Sequence, residues 1–313
     1  MKFSVAIPAY KKDYLKECIT SILAQTYSDF ELVVVNDASP YDLDSIINYF
    51  NDSRIHYYKN TRNCGAINVV DNWNICLNYA QGDYIVLMGD DDMMMPNYLQ
   101  EFAELIQKYP DLGVYHCRSF IINEYSKKVD ITPSWPEFET VYENIWYRML
   151  GYRQQFISDF VYRISDLKTV GGFYKIKLAW ASDDISSFIA ASYKGIAHTQ
   201  NPVFCYRKSG ITISSSGSAT LKLEAIEQER LWFINFLLYS QPSDVTSIIL
   251  HAKIKEYLPL YIVVKKVYTI AHFGFRPRKG LVDCIKWLFY RKKYGLSIEN
   301  ILSAYWQYYK TSC

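Results

Sequence analysis

Three consecutive aspartates, Asp90, Asp91 and Asp92, follow the apolar run Tyr84-Ile85-Val86-Leu87-Met88. The chain therefore delivers three negative charges to the end of a predicted buried strand. Like charges packed together repel, so a cluster there calls for a cation or a hydrogen-bonding ligand to offset the repulsion. Oxygen clusters suit hard divalent ions such as Mg²⁺ or Mn²⁺, which in turn hold diphosphates. The competing reading is an acidic turn that caps a helix beginning at Pro96, because short motifs are weak on their own. None of the five histidines stands at metal-ligand spacing.

The elements that must position these aspartates are legible as periods. Short β-branched runs at Phe3 to Ile7, Phe30 to Val35, Ile55 to Tyr58, Tyr84 to Met88 and Gly113 to His116 alternate with helical patterns. The helices are expected around Tyr14, Cys18 and Ile22, around Leu43 to Phe50, from Ala66 to Ala80 and from Pro96 to Lys108, with Asp13 and Asp42 as caps of the first two. This βα alternation predicts an α/β fold with a mostly parallel, Rossmann-like sheet. Ligands in such sheets bind beyond the carboxyl ends of the strands. Pro8-Ala9-Tyr10-Lys11, Asn36-Asp37-Ala38-Ser39 and Gly89 to Asp92 all fall there. Beyond Ser218 the pattern is wholly helical, and Ser214 to Ser218 reads as the linker, giving regions 1–217 and 218–313.

Several motifs in fixed order carry a resemblance. IPAYKKDYLKECITSILAQTY, VVNDASPYD, GDYIVLMGDDDMMMP, VGGF and WASDDISSFIAASYKG together resemble the inverting family 2 glycosyltransferases of GT-A fold, over about residues 3 to 214. The resemblance implies a nucleotide-sugar donor, most simply UDP-linked, a glycan or lipid-linked acceptor, and a divalent metal. It implies that Asp37 accepts a hydrogen bond from the base, with Pro8 and Tyr10 as floor and edge of the pocket. The family's DxD pattern falls on Gly89, Asp90 and Asp91, so its first aspartate is a glycine here. Asp91, assisted by Asp92, then becomes the metal ligand, and Asp90 a nucleotide contact. Asp184 takes the place of the general base that accepts the acceptor's proton in an inverting displacement, beside Asp183; helix capping would suit the same residues. Gly172, Trp180 and Asp183 are implied on the acceptor side. Arg207 resembles an arginine that approaches the diphosphate, although the histidine expected two places later is Ser209.

Composition bounds the remaining possibilities. At 313 residues, half of them hydrophobic, the chain can bury a large core with an appended region, and disorder is excluded. Seven cysteines with no CxxC pair, and a start that runs straight into a strand pattern, predict a cytoplasmic protein. Net charge is +2 overall, but residues 251–313 carry +9 and the first 250 carry −7. The basic helical tail fits the inner membrane surface, a packing bundle or a homodimer contact, whereas no nucleic-acid motif accompanies the charge. The first turn, Ile7-Pro8-Ala9-Tyr10, lacks the glycines of a dinucleotide-binding oxidoreductase. The lost DxD aspartate leaves a non-catalytic nucleotide-sugar-binding subunit as the alternative to an inverting hexosyltransferase of bacterial surface polysaccharide synthesis.

Overall fold

The computed structural model describes residues 1–192, 194–208 and 218–312. In chain order its elements are β1 (Phe3–Ala9), α1 (Leu15–Leu23), β2 (Phe30–Asn36), α2 (Asp44–Asn48), β3 (Ile55–Lys59), α3 (Val69–Tyr79), β4 (Tyr84–Leu87), β5 (Met93–Met94), α4 (Tyr98–Lys108), β6 (Val114–Ile122), β7 (Lys128–Ile131), β8 (Phe138–Glu139), α5 (Val141–Met149), β9 (Phe160–Arg163), α6 (Ile164–Thr169), α7 (Ser182–Ala191) and β10 (Ile196–Arg207). The helices α8 (Ala219–Tyr239), α9 (Val245–Phe273), α10 (Gly280–Tyr290) and α11 (Ile298–Ser312) follow. The chain divides into two compact units, Met1–Lys175 with Ala181–Gly210, and Ile176–Trp180 with Ile211–Cys313. The expected linker residues 214–217 lie outside the described residues; Ser218 caps α8 by accepting from the Leu221 backbone.

The first unit is an α/β fold built on one sheet of order β3-β2-β1-β4-β9-β6-β10-β5, with β7 on β6 and β8 on β10. The strands β3, β2, β1 and β4 are parallel, as their apolar runs predict for strands covered on both faces. Antiparallel β9 then separates β4 from β6 and makes the sheet as a whole mixed. The strand expected at Gly113 to His116 runs on to Ile122, where β10 supports it in parallel.

Under the sheet, Leu15, Cys18, Ile19 and Ile22 of α1 and Leu99, Phe102, Ala103 and Ile106 of α4 turn one apolar stripe inward. Burying each large side chain stabilises the fold by about 1.5–3 kcal/mol, so Phe102→Ala would loosen the floor beneath the β4 and β10 ends.

Three local expectations change. Pro96 does not start α4, whose first residue is Tyr98, and β5 stands between the aspartates and that helix. The aspartates therefore do not cap it. The helix expected from Ala66 begins as a single 3-10 turn, Ala66–Asn68, before α3. Asp42 does hold the turn into α2, accepting from the Ser45 backbone at 3.0 Å, whereas α1 has no side-chain cap.

Candidate active site

The acidic loop is stretched between two strands. It leaves β4 at Leu87 and, through β5, pairs antiparallel with Phe204 and Cys205 of β10. That pairing carries the aspartates past the end of β1. There the backbone N–H groups of Tyr10 and Lys11 donate to Asp90 Oδ2 at 2.8 and 2.6 Å. Lys11 Nζ meets Asp91 Oδ2 at 2.7 Å. Asp92 is buried; its Oδ1 accepts from the Arg207 backbone at 2.8 Å.

The electrostatics follow from this crowding. Burial first, then the neighbouring Asp91 charge, push Asp90 up to about 6 against the pull of Lys11 and the two backbone N–H groups. Burial and Asp91 likewise hold Asp92 well above the carboxylate range. Burial alone would lower the Lys11 ammonium, but Asp91 and Asp90 outweigh it and hold it up. Burial and mutual repulsion thus disfavour charging Asp90 and Asp92 beside Asp91.

Gly89 explains the missing aspartate of the sequence pattern. A Cβ at this position would stand 2.5 Å from Asp92 Oδ2 and 3.4 Å from Asp91 Oδ1. The space that a side chain at 89 would fill is occupied by carboxylates arriving from two and three residues later. A side chain here would have to push the Asp92 carboxylate aside, and the acidic groups are displaced along the loop without being lost.

Tyr206 ties this loop to the second acidic group. After burial, the charges of Asp92, Asp91 and Asp183 all hold its phenol above the ordinary range, and its ring stacks on Phe156 at 3.6 Å. Asp183 and Asp184 open α7, where the helix N-terminus favours carboxylates. The N-cap itself is Ala181, which makes no side-chain bond, so capping does not account for the pair. Asp184 is 4% exposed and held from two sides, by Arg148 Nε at 3.1 and 3.2 Å and by Gln155 Nε2 at 2.6 Å. Asp183 is half-buried; desolvation first and then the Asp184 charge push it up to about 7, with Arg148 opposing. One carboxylate of the pair is thus fixed in position by its hydrogen bonds, and its neighbour is a proton acceptor near neutrality.

The other candidate residues are placed as follows. Asp37 is buried at the end of β2, where its Oδ1 accepts from Asn60 Nδ2 at 2.8 Å and from the Cys64 backbone at 3.0 Å. Pro8 lies inside β1 opposite Val35, and Tyr10 is exposed with its ring edge toward Tyr41. Gly172, at φ +90°, lies so near α3 that a Cβ would meet Asn74 Oδ1 at 2.3 Å; Asn74 also accepts from the Phe173 backbone at 2.8 Å. The turn is thereby fixed to α3. Trp180 belongs to the helical unit, where its ring meets Phe273 edge-on and carries the Lys222 ammonium at 4.6 Å.

Arg207 departs from the expected role. Its guanidinium is buried and bonded to Glu17 Oε2 at 2.6 Å, to the Asp91 carbonyl at 2.6 Å, and to the Asn123 carbonyl and Ser126. It braces the acidic loop from below. Ser209 lies outside the described residues. Sequence reasoning assigned no role to Lys11, Arg148, Gln155 or Ser158, whose Oγ accepts from the Gly89 backbone at 3.0 Å. Lys11 could have been found, since it follows Tyr10 at a strand end. Arg148 and Gln155 carry no local signal, standing 36 and 29 residues from Asp184.

Residues 4–163 match the family described as glycosyl transferase family 2. The chain belongs to that family. This family 2 glycosyltransferase is 30% identical over 164 residues to a putative colanic acid biosynthesis glycosyl transferase, WcaA, of Escherichia coli, a match spanning 51% of this chain and 55% of that one. The first curated relatives it matches, uncharacterised glycosyltransferases of Rickettsia typhi and Rickettsia prowazekii, are each 30% identical, and the chain spans 38% of their length. Among solved structures, Staphylococcus aureus TarS 1-349 in complex with UDP-GlcNAc superposes with a TM-score of 0.66 at 18% identity, over 100% of this chain and 92% of that one. The mannosyltransferase PcManGT of Pyrobaculum calidifontis, in complex with GDP-Man and Mn²⁺, gives a TM-score of 0.53 at 16% identity, over 98% and 86%. These likenesses establish the GT-A fold of the family 2 glycosyltransferase.

Among the described residues, no three His, Cys, Asp or Glu side chains converge on one ion. Mg²⁺ and Mn²⁺ in phosphate sites take one or two carboxylates and complete their shell with substrate phosphates and water. Asp91, partly exposed and carrying a displaceable ammonium, and Asp92 behind it fit that demand; a closed protein-only site they do not form.

Proposed function

We propose that this chain transfers a hexosyl group from a UDP-linked sugar to a hydroxyl of a glycan or lipid-linked acceptor, with inversion, in the synthesis of a bacterial surface polysaccharide. The observation that carries this reading is that the charges of Asp91 and Asp92 in the acidic loop and of Asp183 at the start of α7 all act on one buried phenol, Tyr206. A displacement at a sugar carbon needs negative groups in two places, a cation-binding cluster for the leaving diphosphate and a proton acceptor for the incoming hydroxyl. The likeness to WcaA supports the polysaccharide setting, and the likeness to TarS with UDP-GlcNAc supports the donor class.

In this reading Pro8, Tyr10 and Asp37 receive the nucleotide, and Asp90 holds the Tyr10-Lys11 backbone that borders it. Asp91 and Asp92 are the residues that would hold a divalent ion, Mn²⁺ or Mg²⁺, which would supply charge neutralisation on the departing diphosphate. Arg207 positions the acidic loop. The Asp183–Asp184 pair accepts the proton as a unit: Arg148 and Gln155 set the position of Asp184, and the two carboxylates act on each other so that Asp183 is raised. Gly172 shapes the acceptor side through the Asn74-braced turn, whereas Trp180 has a packing role that its surroundings account for. The catalytic domain is the unit containing the sheet, and the helical unit is an accessory region.

The test is a panel of nucleotide sugars scored for thermal stabilisation and for slow hydrolysis, followed by NMR of the product's anomeric centre. Hydrolysis of one UDP-sugar and an inverted product support the proposal. Tight UDP binding with no turnover on any donor would establish the non-catalytic binding subunit in its place.

A further inference from the structure

The helical unit contains a helix turned the opposite way from a normal surface helix. In α10 the residues facing inward are Asp283, Cys284 and Trp287, while Leu281, Val282, Ile285 and Phe289 face solvent, with Phe289 80% exposed and Leu281 68%. A soluble helix places its charged residues outward. The rotation of α10 is fixed by two polar anchors. Asp283 accepts from the Arg276 backbone at 2.9 Å and from its guanidinium, and Trp287 Nε1 donates to the Gly274 carbonyl at 2.9 Å. With those bonds made, Leu281, Val282, Ile285 and Phe289 cannot point inward. Alongside it, α11 carries a second stripe at helical spacing, Ile298, Leu302, Trp306 and Tyr309, each at least half exposed.

The charge around α10 is one-sided. Arg278 and Lys279 precede it, Lys286 lies within it, and Lys292 and Lys293 follow; none forms a salt bridge among the described residues. We infer that the outward face of α10 is an interfacial surface that lies in the plane of an anionic lipid bilayer. Exposed aliphatic and aromatic residues flanked by Lys and Arg are the composition that inserts shallowly at the headgroup boundary, and each basic residue adds about a fivefold gain in partitioning near an anionic surface. No helix among the described residues is long and apolar enough to cross a membrane, so α10 lies on the bilayer without spanning it. A second copy of this chain is a poorer occupant, because a two-fold contact would set like-charged faces against each other. The inference rests on the helical unit alone and stands or falls apart from sugar transfer.

The experiment is flotation of the full chain with vesicles of phosphatidylcholine alone or mixed with phosphatidylglycerol, at low and high salt. The parent should float with anionic vesicles and hardly with neutral ones. Added salt should weaken attachment without removing it, since screening acts on charges and not on buried rings. Two variants test the two contributions: L281S/I285S/F289S for the apolar face, and K286E/K292E/K293E for the charge. Each should lower partitioning at least tenfold, and circular dichroism should show unchanged helix content, since every altered side chain is exposed. The single variant Phe289→Ser, with a smaller loss, covers the case in which the triple apolar variant does not fold. Equal flotation with both lipids, or variants that float like the parent, would overturn the inference. A parent that does not float but dimerises, with Phe289→Ser monomeric, would assign the face to a second copy instead.

Discussion

Replacing Arg148 with glutamine should move the pH dependence of sugar transfer without touching nucleotide binding. Arg148 Nε lies 3.1 Å from Asp184 and pairs with that carboxylate. The same guanidinium also opposes the rise of Asp183, which desolvation and the Asp184 charge bring to about 7. Removing it takes away a lowering influence, so the pair's acidic transition must move to higher pH. A rise of one unit corresponds to ~1.4 kcal/mol. For a group titrating near 7 it would cut the ionised fraction at pH 7 from about one half to about one tenth. Transfer at pH 7 should therefore fall roughly fivefold and recover toward the parent's value above pH 9, in a profile of kcat/KM against pH. Asp184→Asn is the control in the other direction. It removes the repelling charge, so the transition of the remaining aspartate should move down, while transfer falls by a factor on the order of 10² to 10⁴ through loss of half the accepting pair. UDP binding, measured by calorimetry, should be unchanged in both. An acidic limb at the same pH in Arg148→Gln and the parent would refute the proton-accepting role of the pair.

Three further outcomes follow from the acidic loop. Asp91→Asn should remove the dependence of UDP affinity on Mn²⁺, read by calorimetry with the ion and with EDTA; equal affinity of the parent in both conditions would dismiss the metal. Gly89→Asp, although it rebuilds the family's acidic pattern, should destabilise the fold by about 1–3 kcal/mol through collision with Asp92, seen as a lower urea midpoint. Because Asp90 and Asp183 are raised to about 6 and about 7, the folded state holds more protons than the unfolded chain between pH 4 and 7. Their contribution to stability is thus present at low pH and lost as pH rises through those values. In that window Mn²⁺ should raise the melting temperature more at pH 7 than at pH 5, by discharging the loop; a cation effect independent of pH would count against it.

Much of this arrangement is written locally. The runs that become β1, β2 and β4 are apolar over successive residues and stop at turn residues, so their existence and their polar ends can be read from period and composition. Because parallel strands carry ligands at their carboxyl ends, the same reading places Tyr10, Asp37 and Asp90 to Asp92 on one side of the sheet. The outward face of α10 is not legible in this way. Its apolar residues look like a core stripe until Asp283 and Trp287 are seen to hold the opposite face inward.

What the tertiary structure alone decides are partnerships between residues distant in sequence. Sequence pattern presents Gly89 as a lost aspartate; only the folded loop shows that Asp92 fills its place. Arg207 reads as a phosphate contact by its position in a motif, yet β10 and α1 bring it to Glu17, 190 residues away, and its guanidinium is bonded to protein groups beneath the loop. Arg148 and Gln155 reach Asp184 from α5 and the segment after it, at separations where no periodicity survives. Antiparallel β9, a four-residue strand between the equally short β4 and the longer β6, is likewise fixed by its neighbours' backbone groups rather than by its own composition. Local sequence specifies period, charge and the type of each terminus. Which oxygen meets which nitrogen depends on strand order and on side-chain directions, and these exist only once the sheet has closed.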